Sequence, residues 1–357
     1  MSRLKRAVSF DDVMLMPHHS TLHTRADADL HTRIASVDLK IPIIAANMSS
    51  VCEDQMAIAM GEMGGLGIIH RMSSIEDQDQ FLFRTVAYGP DFKSIRVGFS
   101  IGIGDDWHKR MEQCMNRADI VCLDIAHADH ERVLELLKKY YGAYKNYPII
   151  IGQIATASAV KRLLTVIPEK YYETTAFKAS IGGGSLCTTR IKTGFGVPTL
   201  QAIMDISAEG IREKGITLIA DGGIKNSGDI VKALAAGADA VMLGNLLAGT
   251  DEAPGDIVDG EGNKQYHPNG KKFKMYRGSA SMSDKALRNE KTKHIEGEET
   301  LVPYKGSVTK VVNDLLDGIR SGMSYSGSHT ISELQEDAEF IEITAAGFRE
   351  SVPHGKA

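Results

Sequence analysis

Several features that would restrict the function are missing from this chain of 357 residues. Cysteine is scarce, and the 4 that occur, Cys52, Cys114, Cys122 and Cys187, form no C-x-x-C pair. A disulfide framework and a structural zinc site are therefore poor explanations of the fold. An excess of positive charge is missing as well, because 41 lysines and arginines face 46 acidic residues. We therefore expect no nucleic acid among the partners.

Long apolar runs are also absent. No stretch reaches the ~20 apolar residues that a bilayer span requires, and the N-terminal sequence MSRLKRAVSFDDV lacks the apolar core of a signal peptide. We therefore expect a cytoplasmic protein that does not insert into a membrane. No apolar run is followed by G-x-G-x-x-G, and no G-x-x-x-x-G-K-[ST] occurs, which argues against a doubly wound sheet.

The main positive feature is a repeated alternation of short β-branched runs with segments of helical apolar spacing. Eight such alternations predict an α/β fold with a single (β/α)8 barrel, a TIM barrel, over residues 1–357. The runs occupy residues 41–50, 65–70, 93–101, 120–127, 147–155, 176–181, 216–223 and 239–244.

The chain departs from this pattern after the eighth run. An insertion at about 251–306 contains GDIVDGEGNKQYHPNGKKFKMYRG, which predicts a hairpin with a polar tip, and then a stretch of little periodicity. Such a stretch inside a compact domain is typical of a mobile flap or of a linker. Helical spacing returns over 308–323, which predicts the helix that closes the barrel.

In a barrel of this kind the active site lies at the C-terminal ends of the strands. The loop after the sixth run, IGGGSLCTTRIKTGFG, surrounds Cys187 with glycines and hydroxyl residues. Backbone N–H groups in such a loop favour a thiolate, so we predict a reactive Cys187. The other three cysteines are predicted to be inert and buried, Cys122 in a strand and Cys52 and Cys114 in helices.

The loops after the seventh and eighth runs are where many barrels bind a phosphate. Gly222, Gly223, Gly244 and Asn245 have backbone N–H groups available for one, and Asp221 can accept hydrogen bonds from ribose hydroxyls. The alternative is that these glycines only permit tight turns.

Three further polar residues follow apolar runs. Asp124 ends an apolar run, where burial of an unpaired carboxylate is costly. Its presence there indicates either a function or the capping of the next helix. His70 and Arg71 after the second run are either functional or merely capping and solvated. A metal site at His127 and His130 is only weakly indicated by their spacing.

Several of these segments together resemble one family. They are SIGGGSLCTTR (180–190), ADGGIKNSGDIVKALAAGADAVMLGNLLAGTDEAPG (220–255), YRG (276–278), an EG before VPYKG, and FDDVMLMPHHSTL near the N-terminus. They resemble the inosine monophosphate dehydrogenase and GMP reductase family, from about Phe10 to about Thr344. The resemblance implies a (β/α)8 barrel, a homotetramer, and a purine nucleoside monophosphate as substrate.

The resemblance also implies roles for particular residues. Cys187 would attack C2 of the purine, with Thr189, Glu296 and Asp124 as the other catalytic residues. The implied nucleotide-binding residues are Ser185, Asp221, Gly222, Gly223, Gly244, Asn245, Tyr276, Gly278, Ser279 and Met48. The implied cofactor-binding residues are Asp124, Ile125, Ala126, Gln153 and Arg71. A potassium ion would lie at the backbone of Gly182, Gly184 and Cys187.

The family contains two reactions that share the cysteine adduct. The dehydrogenase oxidises IMP with NAD+ and activates water through an Arg-Tyr pair, whereas the reductase converts GMP to IMP and ammonia with NADPH. This chain has no Arg-Tyr dipeptide in the flap, and too few residues follow SIEDQ for the CBS module of most dehydrogenases. We therefore expect the reductase, with NADPH as cofactor; the alternatives are the dehydrogenase with NAD and a nucleotide-binding relative without activity.

Several positions depart from the reductase pattern of the family. The chain has Arg71, His127 and Gln153 where that pattern has lysine, asparagine and asparagine, and Ser180 and Gly183 replace a glycine and a proline. Arg for Lys is not conservative at a site that moves a proton, because guanidinium does not deprotonate. The changes cluster near the expected cofactor side, which suggests an unusual substrate such as a deoxynucleotide or a modified purine.

Overall fold

Each of the eight predicted runs contains one strand of a parallel barrel. The computed structural model describes residues 4–88, 95–264, 270–278, 281, 297–351 and 353. Three short strands come first: β1 (Val13–Leu15), β2 (Thr32–Ile34) and β3 (Val37–Leu39). The barrel strands are β4 (Ile43–Ala45), β5 (Leu66–Ile69), β6 (Val97–Ile101), β7 (Ile120–Asp124), β8 (Ile149–Ile154), β9 (Thr175–Ala179), β10 (Thr217–Asp221) and β11 (Ala240–Leu243). They close in the order β10-β11-β4-β5-β6-β7-β8-β9, which confirms the (β/α)8 barrel.

Eleven helices surround the barrel among the described residues, and the longer ones bury an apolar face against it. They are α1 (Asp54–Glu62), α2 (Ile75–Tyr88), α3 (Trp107–Cys114), α4 (Glu131–Ala143), α5 (Ala157–Leu164), α6 (Thr189–Thr193), α7 (Thr199–Ser207), α8 (Ser227–Ala235), α9 (Val308–Ser326), α10 (Ile331–Asp337) and α11 (Ala345–Glu350). Helix α9 packs against α8 and α1, which is the place of the predicted closing helix. Single 3-10 turns occupy Phe10–Asp12, Arg25–Asp27 and Glu169–Thr174.

The two-residue period of the strands divides the core into two layers. On β9, Ala176 packs inside the barrel and Phe177 packs outward against the helices. Lys178 therefore points inward, on the same face as Ala176. The antiparallel pair β2–β3 seals the N-terminal end of the barrel, since Ile34 and Leu39 join the inner layer. The inner layer is thus apolar at one end and carries charge only near the other.

The insertion after β11 pairs differently from the prediction. Strand β12 (Phe273–Arg277) forms its ladder with β13 (Glu299–Pro303), and the predicted partner segment contributes a single bridge, Val258 to Phe273. Among the described residues, the hairpin predicted over 255–278 is present as this antiparallel bridge, and residues 265–269 at its tip lie outside the described residues. A third pair joins β1 to β14 (Phe340–Glu342).

Two remaining observations bear on the sequence predictions. No helix within the described part of the chain is both long and apolar enough to cross a bilayer. Cys52, Cys114 and Cys122 are buried, as predicted, although Cys52 lies in the loop before α1 and not in a helix. Burial raises the pKa of Cys114 and of Cys122 to about 12, which makes both thiols unreactive at neutral pH.

Candidate active site

A cavity of about 750 Å³ opens at the C-terminal ends of the barrel strands. It brings together nearly every residue that the sequence predicted for the site. From the predicted catalytic, nucleotide, cofactor and potassium sets, its lining contains Met48, Arg71, Asp124, Ile125, Ala126, Gln153, Gly182, Gly184, Ser185, Cys187, Thr189, Asp221, Gly222, Gly223, Gly244, Asn245, Tyr276 and Gly278. The other two predicted residues, Ser279 and Glu296, lie outside the described residues.

The cysteine loop places a thiol and a hydroxyl side by side in this cavity. Cys187 is the one partly exposed cysteine, and its Sγ lies 3.1 Å from Oγ1 of Thr189, the first residue of α6. The loop is fixed from the other side, because Cys187 forms a β-bridge with Gly297 and the carbonyl of Leu186 accepts a hydrogen bond from the N–H of Glu298. The thiol is thus accessible and held in a defined position.

Free backbone N–H groups converge on another part of the cavity. Gly222 and Gly223 have φ values of +85° and +79°, and such consecutive positive values turn successive N–H groups toward one side. Within the described ranges, the N–H groups of Gly222, Gly223, Gly244 and Asn245 donate to no protein acceptor. A Cβ on Gly222 would lie 3.0 Å from backbone atoms of the cysteine loop. This part of the cavity, which we call the anion cradle, can bind a phosphate.

Asp221 lies at the end of β10, next to the anion cradle. Its Oδ2 is 3.0 Å from Nζ of Lys178, and it also accepts a hydrogen bond from the amide nitrogen of Gln153. No described residue donates to Oδ1, so this oxygen is available to a ligand hydroxyl. Asp221 therefore has the geometry expected of a ribose-binding carboxylate.

Asp124 lies on the opposite side of Lys178, at the end of β7. Its Oδ1 is 3.4 Å from Nζ of Lys178, and its Oδ2 is 3.8 Å from Nε of Arg71. Burial opposes ionisation, but the charges of Lys178 and Arg71, with a hydrogen bond from Asn47, outweigh it and lower the pKa of Asp124. Asp124 is therefore a carboxylate at neutral pH, and it can accept a proton or a hydrogen bond but cannot donate a proton.

The capping alternative fits His70, whose Nδ1 accepts the N–H of Met72 at 3.1 Å, but it does not fit Asp124. Helix α4 is capped by His130, whose ring accepts the N–H of Arg132, so Asp124 caps nothing. His70 is buried, and its Nε2 lies 3.2 Å from a carboxylate oxygen of Glu53. Arg71 keeps only 18% of its side chain exposed. The described residues contain no cluster of three metal-ligating side chains.

The cavity beyond the cysteine retains unpaired polar atoms. Oε1 of Gln153 and Nε of Arg71 are buried and have no hydrogen-bond partner. A nicotinamide carboxamide offers both an N–H donor and a carbonyl acceptor, so these atoms fit such a group. Buried polar atoms normally have partners, and their presence here indicates a ligand-binding surface.

At the predicted potassium position, one of the three carbonyl groups already accepts a hydrogen bond from the protein. The carbonyl of Gly184 already accepts a hydrogen bond of 3.0 Å from the N–H of Cys187. A Cβ on Gly183 would lie 2.4 Å from Oγ1 of Thr199, so the loop at this point packs tightly against α7. Potassium binding stays a prediction.

Sequence reasoning missed Lys178. It lies 1% exposed in the middle of an apolar run, bridges two carboxylates, and lines the cavity. The signal was available, because a lysine facing the interior of a strand-rich core needs counter-charges. The same reasoning selected Asp124 but was not applied to its partner.

The fold and the cavity together define a class: a (β/α)8-barrel protein with an accessible cysteine beside an anion cradle. Comparison with known proteins narrows that class. The IMP dehydrogenase / GMP reductase domain matches residues 7–354, and the chain therefore belongs to this family of oxidoreductases.

Individual relatives carry both of the family's names. IMP dehydrogenase of Borreliella burgdorferi is 37% identical over 98% of this chain and 97% of its own length. GMP reductase of Leishmania donovani is 30% identical over 98% of this chain and 97% of its own length. The crystal structure of a cysteine-to-alanine variant of Trypanosoma brucei GMP reductase, in complex with guanosine 5'-monophosphate, has a TM-score of 0.88 and 29% identity, over 99% of both chains.

Proposed function

We propose that this protein is a GMP reductase: GMP, NADPH and two protons give IMP, NADP+ and ammonium. The observation that carries the proposal is the Cys187 thiol beside the Thr189 hydroxyl, in one cavity with the anion cradle. The direction of reaction rests on the flap sequence, since residues 251–306 contain no Arg-Tyr dipeptide. The likeness to a GMP reductase over 99% of both chains supports it.

In the proposed reaction Cys187 forms the covalent link to the purine. The Cys187 thiolate adds to C2 of GMP, and the C2 amino group leaves as ammonia once it has gained a proton. Thr189 is the nearest described hydroxyl to the sulfur and would relay that proton, with Glu296 as its source. Asp124 is already ionised, so its part is to accept a hydrogen bond.

The rest of the cavity would bind and orient the two ligands. The anion cradle binds the 5'-phosphate, with Ser185, Tyr276 and Met48 beside it, since Oη of Tyr276 is 3.4 Å from Oγ of Ser185. Asp221 accepts the ribose hydroxyls. NADPH, when bound, would supply the hydride to C2, and the C2–sulfur bond would then break, so that the Cys187 thiolate leaves and IMP is released. Gln153, Arg71 and the backbone of Ile125 and Ala126 would hold its nicotinamide end.

The test is the absorbance at 340 nm of purified protein with GMP and NADPH. We expect a loss of absorbance with one ammonium and one IMP formed for each NADPH consumed. No loss with GMP, NADPH and added potassium would contradict the proposal. The same assay with dGMP, NADH and modified purines tests the unusual substrate that the departures near the cofactor side suggest.

A second candidate function is IMP dehydrogenase. It is favoured by the names of the relatives, since proteins of 35% and 37% identity, from Cryptosporidium parvum and Borreliella burgdorferi, are IMP dehydrogenases. In that case IMP and NAD+ would produce a rise at 340 nm, and a residue other than an Arg-Tyr pair would activate water. If neither reaction changes the absorbance and the protein still binds IMP, it would be a nucleotide-binding member of the family without activity.

A further inference from the structure

Lys178 is a buried cation that bridges two parts of the cavity. Its side chain is 2% exposed, and its ammonium lies 3.0 Å from Oδ2 of Asp221 and 3.4 Å from Oδ1 of Asp124. Gly152 on the adjacent strand leaves room for it, because a Cβ there would lie 2.5 Å from Cβ of Lys178. The three charged groups come from β9, β10 and β7, and they meet at the top of the inner layer.

The surroundings of the ammonium hold few other ionisable groups. The thiol of Cys122 on β7 faces it, and Met242 on β11 contributes a sulfur 3.8 Å away. Arg71 approaches Asp124 from the loop after β5. Tyr276 of β12 feels the charge of Asp221, and burial raises its pKa. The side-chain charges of Lys178, Arg71, Asp124 and Asp221 sum to zero.

We propose that Lys178 is a positioning residue that ties the carboxylate of the nucleotide side, Asp221, to the carboxylate of the cofactor side, Asp124. This rests on the proposed function, which assigns the ligands to the two sides. Lys178 transfers no proton. It fixes Oδ2 of Asp221 and leaves Oδ1 to the nucleotide.

The two carboxylates depend on Lys178 to different degrees. Without the ammonium, Asp124 keeps Arg71 and the amide of Asn47. Asp221 keeps only the neutral amide of Gln153, and the carboxylate of Asp124, which also contacts the ammonium, lies on the other side of the Lys178 position. Removal of Lys178 therefore favours a protonated Asp221, in which one oxygen no longer accepts a hydrogen bond from a ribose hydroxyl.

The first arm of the test measures IMP binding by calorimetry in wild type, Lys178→Met and Lys178→Gln. For each variant we compare its Kd with that of wild type at the same pH. This ratio is expected to be about tenfold higher at pH 5.5 than at pH 8.5. Below the raised pKa of Asp221, each pH unit lowers the ionised fraction of its carboxyl tenfold. The titration of the phosphate is common to all proteins and cancels. Glutamine keeps hydrogen-bond donors and loses only the charge.

The second arm needs no ligand and predicts the opposite trend. A carboxylate with a raised folded-state pKa destabilises the fold at high pH, and this cost diminishes as pH falls below that pKa toward the unfolded-state pKa. The deficit in melting temperature of Lys178→Met is therefore expected to be largest at pH 8.5 and to shrink toward pH 5.5. A lysine that only filled space would give pH-independent deficits in both arms.

Two further variants sharpen the result. Lys161→Met, an exposed lysine of α5, makes the same change of net charge and is expected to match wild type in both arms. Lys178→Met/Asp124→Asn also removes the negative charge of Asp124 and is expected to lessen the rise in the Kd ratio.

The outcomes separate this proposal from the proposed function. If IMP does not bind to wild type, the proposed substrate class is wrong, and the melting arm still decides whether Lys178 supports the two carboxylates. The role assigned to Lys178 would be overturned if the Kd ratio to wild type did not change with pH in either Lys178 variant. It would also be overturned if the deficit in melting temperature grew toward low pH. The Gln variant decides the matter if the Met variant does not fold.

Discussion

At the residue scale, burial separates one cysteine from three others of the same chemistry. Desolvation raises the pKa of Cys52, Cys114 and Cys122, and each belongs to a buried apolar cluster. Cys187 is partly exposed in the cavity beside Thr189. The fold thus leaves one thiol accessible and encloses the other three.

Replacement of the exposed cysteine gives the most direct prediction. Cys187→Ala is expected to lower kcat by at least about a thousandfold while IMP binding changes little, because only the covalent step is lost. Steady-state rates and calorimetry measure the two effects. Cys114→Ala, a buried thiol outside the cavity, is the control and should keep its kcat. Substantial turnover in Cys187→Ala would rule out the covalent route.

The anion cradle gives a second prediction at this scale. Gly222→Ala is expected to raise KM for the nucleotide by about tenfold or more, because a Cβ at φ +85° is strained and meets backbone atoms at 3.0 Å. Gly142→Ala on α4 is the matched control, since nothing lies within 4 Å of its Cβ. The control is expected to keep KM and to gain about 0.5–1 kcal/mol of stability. Unchanged KM in Gly222→Ala would place the phosphate elsewhere.

Functional residues in the loops could be predicted from the sequence more readily than the ion pairs between side chains inside the barrel. Cys187, Asp221 and Gly222 stand at strand ends, where the rule for this fold places function, and the structure puts them in one cavity. The apolar run around Lys178 signals a buried lysine, but its two carboxylate partners follow only from the closure of β7, β9 and β10 into one ring.

At the element scale, strands and helices with a clear period were predictable and pairings across long segments were not. The eight barrel runs have local signals of burial, and each became a strand. The predicted hairpin relied on proximity in sequence, whereas β12 pairs with β13 across residues 279–298. No local pattern specifies such a distant partner, because the pairing depends on where the fold brings two strands together that are far apart in the sequence.

An acidic residue at the N-terminal end of a strand gives the prediction at this scale. Oδ2 of Asp239, just before β11, accepts the N–H of Leu218 at 2.7 Å, and burial raises the pKa of Asp239 to about 6. The ionised carboxylate therefore destabilises the fold above about pH 6, and this effect disappears as pH falls toward the pKa that Asp239 has in the unfolded state. Asp239→Asn is expected to raise the free energy of unfolding at pH 8 by about 1–2 kcal/mol, and by less at pH 5.

The matched control is Asp119, which holds the same position before β7. Its Oδ2 accepts the N–H of Val97 at 3.0 Å, and its Oδ1 pairs with Arg96 at 2.8 Å. Because this carboxylate has a cation partner, Asp119→Asn is expected to give no gain at pH 8. Urea unfolding at the two pH values measures both variants. Equal effects of the two substitutions would contradict the burial argument.

At the scale of the whole molecule, the rim of the cavity is incompletely covered. Ile191 and Phe195, on and just after α6, are 86% and 76% exposed beside the cysteine loop. Large exposed apolar side chains grouped at a functional site are typical of surfaces that another chain covers.

We predict a homotetramer, as the family resemblance implies. Light scattering after size-exclusion chromatography is expected to give four times the chain mass of 38.8 kDa. Phe195→Asp is expected to lower that mass if α6 lies in a subunit contact, with Tyr325→Asp, another exposed aromatic residue at 66%, as the control. A monomer at micromolar concentration would contradict the prediction.

Two described residues on either side of the predicted flap, Gly278 and Glu298, are joined by a hydrogen bond. The N–H of Gly278 donates to the carbonyl of Glu298 at 2.9 Å, which holds these two residues together in space although 19 residues separate them in the sequence. The entropy of closing a loop rises only with the logarithm of its length, about 0.6 kcal/mol for each doubling. Insertions and replacements in this segment therefore leave the stability of the barrel nearly unchanged. The sequence between Gly278 and Glu298 can therefore change without moving the cysteine or the anion cradle.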